Sequence, residues 1–87
     1  MSINKLQENI SEVQKAITVL NNDDAIPKNI RAKLDAVSLI LSEDADVSSK
    51  VGRSLHVLDE MSEDLNIQPF IRTQLWNITS MLEKLNH

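Results

Sequence analysis

Chemistry in this chain would have to come from its histidines, its acidic connectors or its basic residues. Among 87 residues there are two histidines and no cysteine. A thiol nucleophile, a disulfide and a thiolate metal site are therefore excluded. His56 lies between Leu55 and Val57, with no second histidine three or four residues away to share a metal on one helical face. His87 ends the sequence, and a terminus is a poor place to hold a catalytic geometry. The spacing predicts His56 as a solvated or interface residue. Asp23-Asp24 and Asp44-x-Asp46 could offer oxygen ligands to a hard cation, but neither an EF-hand spacing nor a glycine turn accompanies them. Helix capping and the macrodipole account for acidic residues in such places. No catalytic residue, metal, cofactor or small-molecule substrate is expected, and the chain reads as a non-enzyme.

Lys28, Arg31, Lys33, Lys50 and Arg53 form a central basic region. A nucleic-acid-associated protein would make its contacts through Lys28, Arg31, Lys50 and Arg53. Against this, Asp35, Asp59 and Glu60 lie among them, and the net charge of −4 disfavours non-specific attraction to nucleic acid or anionic lipid. Nucleic acid is the alternative partner, and a protein partner is preferred. No apolar run approaches a membrane span, and MSINKLQENISEVQ lacks the apolar stretch of a signal peptide. A cytoplasmic protein of one domain, residues 1–87, is expected.

Four periodic segments must position these residues. Ile3, Leu6, Ile10, Val13, Ile17 and Leu20 alternate gaps of three and four, which puts them on one stripe of a helix, with Ser2 as its N-cap. Ile26, Ile30, Leu34 and Val37 are echoed by Val47, Val51, Leu55 and Leu58, and again by Ile67, Ile71, Leu75 and Ile78. The offsets are 21 and then 20 residues, and Asp23, Asp44 and Asp64 fall in register ahead of each unit. Asp46 and Asn66 suit N-caps, while Pro27 and Pro69 suit first turns, where a missing N–H breaks no helical bond. Helices over 3–20, 26–41, 47–62 and 67–86 follow. A single glycine and few aromatic residues agree with an all-α chain rather than one built on tight hairpins. Short connectors make successive helices antiparallel. A HEAT-type solenoid needs about 40 residues per repeat, so a compact up-and-down four-helix bundle is preferred, with a repeat-like spacing of its last three helices.

Three stretches resemble a family of small archaeal proteins, uncharacterised protein family 0147. They are Pro27-Lys28-Asn29-Ile30-Arg31, Val57-Leu58-Asp59-Glu60-Met61-Ser62, and Arg72 through Glu83. The likeness spans residues 26–85 and departs from the family pattern at Phe70 or Ile71, where members often carry a polar residue. It implies a four-helix bundle and no established activity.

Trp76 does not fit its own stripe. With Ile71 at zero and about 100° per residue, Leu75, Ile78, Leu82 and Leu85 fall within about 40°, whereas Trp76 lies near 140° and Arg72 near 100°. Leu39 is about 180° from the stripe of its helix by the same arithmetic. Arg72 could stack on the indole as an i,i+4 pair, or both could face a second protein, since Trp and Arg are enriched in interface hot spots. Trp76, Arg72, Leu39 and His56 are the expected interface residues, in a homo-oligomer ahead of a foreign partner.

Overall fold

The computed structural model describes residues 3–85 and contains α1 (Ile3–Asn21), α2 (Lys28–Ser42), α3 (Val47–Ser62) and α4 (Pro69–Lys84). Ser2 as a cap, the side chain of Ile3, and His87 lie outside the described part. Each helix packs on its sequence neighbours, and α1 also packs on α4. The pairs α1–α3 and α2–α4 are diagonal. This is the four-helix bundle, 38 Å long and 21 by 20 Å across.

Helix boundaries differ from the expected ones mainly at two N-termini. Pro27 is the N-cap residue of α2, and Pro69 opens α4 after Gln68. Ile26 and Ile67 are thus not helical. Both are buried, and their N–H groups donate to Asp23 O and Asp64 O, so each plugs the end of the bundle from a tight turn. Asp46 caps α3 by accepting from Ser48 N at 3.1 Å. Asn66 is not a cap: its N–H donates to Asp64 Oδ1 at 2.9 Å, as that of Ala25 does to Asp23 Oδ1. No described residue has positive φ, which is how three connectors manage without glycine.

The internal repeat is longer than the spacing of apolar residues suggests. The cores of α1 and α2 recur 41 positions later: Ile10, Val13, Ile17 and Leu20 correspond to Val51, Ser54, Leu58 and Met61. Ile26, Ile30, Leu34, Val37 and Leu41 correspond to Ile67, Ile71, Leu75, Ile78 and Leu82, and every one of these residues is buried. The repeating unit is a helical hairpin. Leu55, placed in line with Leu34 and Leu75 by the 20–21-residue spacing, is only half-buried, while Ser54 and Met61 face the interior. A one-helix shift reverses chain direction in an up-and-down bundle, so α3 can superpose on α1 but not on α2.

Ser54 is fully buried, and its hydroxyl has no hydrogen-bond partner. Leaving a hydroxyl unpaired in an apolar interior is costly, and Val13 holds the matching place in the first hairpin. Ser54→Ala is expected to stabilise the fold by about 1 kcal/mol, measured as a higher urea midpoint at unchanged slope. A midpoint that falls would mean that the hydroxyl is satisfied in solution.

Candidate functional site

Three connectors are tied down by a basic side chain from the helix that follows. Arg31 donates to Asn21 O and, at 3.2 Å, to Asp23 O. Arg72 makes the same fork, to Ser62 O and, at 2.9 Å, to Asp64 O. Between them, Lys50 Nζ donates to Leu41 O at 3.5 Å and Glu43 O at 3.1 Å. The last carbonyls of a helix have no intrahelical donor and carry the negative end of its dipole, so a cation there satisfies both needs.

This arrangement assigns structural work to residues singled out for contacts. Arg72, expected beside Trp76 at an interface, directs its guanidinium at the α3–α4 connector. Of the basic set, Arg31 and Lys50 are likewise engaged with carbonyls, and Arg53 grips both carboxylate oxygens of Glu43 at 2.7 and 3.2 Å. Hydrogen bonding from Arg53 holds the Glu43 carboxyl below its ordinary value and raises Arg53 in return. Lys28 is exposed at the start of α2. Asp64 is held below the usual carboxylate range, first by the N–H of Asn66 and then by the amide of Asn29.

His56 is exposed on α3, with Nε2 3.5 Å from Glu60 Oε1 one turn on. Among the described residues, no three histidine or acidic side chains converge on a point that would hold a metal ion.

The exposed apolar side chains remain. Trp76 is 68% exposed and Leu39 71% exposed. They do not form one patch, because α2 and α4 are diagonal across the bundle, and His56 lies on a third helix. Sequence patterning missed three further residues: Leu65 in the α3–α4 connector (92% exposed), Val19 (73% exposed) and Phe70 (57% exposed). Val19 and Phe70 flank a cleft of about 370 Å³ between α1 and α4, which is completed by Ala16, Leu20, Asp23 and Gln74. A second cleft, of about 250 Å³, opens further along the same seam between Asn9, Glu12, Met81, Lys84 and Leu85. The available signal was apolar identity just off a stripe: Val19 stands beside Leu20, and Phe70 beside Ile71.

Residues 1–85 match the model of a family described as "Uncharacterised protein family (UPF0147)". The chain belongs to this family. A UPF0147 protein of Methanocaldococcus jannaschii is 34% identical over 80 residues, covering 91% of this chain and 86% of its own length. One from Sulfurisphaera tokodaii is 32% identical, covering 90% and 92%. A crystal structure of a UPF0147 protein from Thermoplasma acidophilum is similar with a TM-score of 0.85 and 32% identity, over 91% of this chain and 94% of that one. UPF0147 membership accounts for the bundle, and the family's description assigns it no activity. None of the described helices is long and apolar enough to cross a membrane.

Proposed function

We propose that this UPF0147 protein is a non-enzymatic interaction module, a rigid helical bundle that engages protein through exposed apolar side chains. The observation that carries this reading is Trp76. The sole tryptophan is 68% exposed on α4, and Arg72, its neighbour one turn back, is turned onto the connector carbonyls rather than needed at the ring. A large aromatic with no part in the core contributes to folding only weakly, yet such a residue dominates binding when a partner desolvates it. The ties across the connectors keep the helices that present it fixed, which lowers the ordering cost of association.

Trp76→Ala should leave the urea transition within about 0.5 kcal/mol of wild type, as surface substitutions do. Recovery of protein partners other than copies of the chain itself should fall at least tenfold. Because the chain has one tryptophan, its emission should shift to the blue when a partner covers it. Equal recovery by both forms, with emission that stays at the solvent-exposed wavelength in every complex, would overturn the reading.

A further inference from the structure

Building on the reading of the chain as an interaction module, we infer that the α1–α4 face binds a second copy of this chain, antiparallel about a two-fold axis through its centre. The hairpin repeat supplies an internal control. It relates the α2–α3 seam to the α4–α1 seam, so the two can be compared position by position. In the first, Asn29 donates to Asp64 at 3.1 Å, and Lys33 meets Glu60 at 3.7 Å. The same places in the second hold Phe70 with Asp23, and Gln74 with Val19. Further along, the Arg53–Glu43 pair has Glu12 and Lys84 as counterparts, and Glu12 pairs with Lys15 along its own helix. One seam is crossed by polar pairs. The other bears exposed Val19 and Phe70 and contains both clefts.

Self-complementarity, charge and size select a second copy as the occupant. Exposed Phe70 and Val19 flank one cleft at one end of the face, and a cleft walled by Met81 and Leu85 opens at the other. An antiparallel two-fold sets the exposed Phe70 and Val19 of each copy against the partner's Met81–Leu85 end twice over, as a closed isologous contact requires. It also brings Asp23 at one end opposite Lys84 at the other, whereas a parallel arrangement would oppose Asp23 to itself. A bundle 38 Å long and 21 Å across offers a side face on the scale of the roughly 800 Å² per partner that a standard interface buries.

The test copies the sealed seam onto the open one. Val19→Glu, Phe70→Asn and Gln74→Lys together install the residues of the α2–α3 seam, which the fold demonstrably accommodates. Sedimentation should show wild type at twice 9.8 kDa and the triple variant as a monomer with an intact urea transition, its dissociation constant raised at least ~30-fold, as loss of a hot spot implies. Orientation is read by cross-linking, since the native chain has no cysteine. Asn77→Cys, midway along α4 on the α1 side, should form a disulfide with its own copy, and Leu39→Cys on α2 should not.

A wild-type monomer at about 1 mM, a dimer indifferent to the triple substitution, or equal cross-linking through Leu39→Cys would each overturn the assignment. If Trp76→Ala dissolves the dimer while the triple variant keeps it, the interaction module stands and only the face is wrong. If neither surface binds protein, both readings fall.

Discussion

Leu34→Ala is expected to destabilise the protein by about 3 kcal/mol, and Leu55→Ala by about 1 kcal/mol or less. The two leucines occupy the same place in the series that runs through Leu34, Leu55 and Leu75, so apolar spacing alone forecasts equal costs. The structure separates them. Leu34 is completely buried and Leu75 nearly so, whereas Leu55 is half-buried at the edge of the core. In the hairpin register its counterpart is Gln14, whose amide donates to Ser42 Oγ at 3.0 Å at the rim of α1 and α2. Truncating Leu34 leaves a cavity enclosed on all sides, while truncating Leu55 opens a site that water and neighbouring side chains can fill. Urea unfolding and calorimetry both measure the difference. For a chain of this size it corresponds to roughly 15 °C in melting temperature for Leu34→Ala. Equal losses at the two positions would refute the 41-residue register.

Arg72→Ala should cost about 2 kcal/mol, the range for hydrogen bonds made by a charged group. Its guanidinium spans Ser62 O and Asp64 O, and removing it takes the side-chain donor from Ser62 O where α3 ends and leaves Asp64 O with only the Ile67 N–H. Lysine should restore less than half of the loss, because a single ammonium cannot reproduce a planar fork aimed at two acceptors. Arg31→Ala should behave alike, since Arg31 makes the matching bonds in the first hairpin. The contrast with Trp76 is the informative part. Arg72→Ala is predicted to lower stability and Trp76→Ala to leave it unchanged, although the two residues are one turn apart and look like a pair in sequence. Amide exchange in residues 62–67 provides a local readout. A variant with native protection there and an unaltered urea midpoint would show that the fork contributes nothing.

Most of the architecture was legible because it rests on short-range periodicity. Ile10, Val13, Ile17 and Leu20 of α1 and Ile30, Leu34 and Val37 of α2 were placed on the core face residue by residue, and Asp46 was recognisable as a cap from its chemistry. The α3 stripe was misassigned at Leu55, because Ser54 disguises a core position with a polar side chain and Leu55 completes a spurious spacing of four. At the candidate surfaces, helical-wheel reasoning found that Trp76 and Leu39 point outward, and both do. It could not show that they lie on diagonal helices, because that depends on which helices become neighbours.

The sequence by itself determined four amphipathic helices, their antiparallel order and the outward placement of one indole, all set by neighbours within a few residues along the chain. Only the tertiary structure decided what the arginines are for and which seam is open. Arg31 and Arg72 act on carbonyls eight to ten residues back, reached only once the connector has turned. The α1–α4 groove joins residues 47 or more positions apart, and its difference from the α2–α3 seam exists only because folding places the two hairpins side by side.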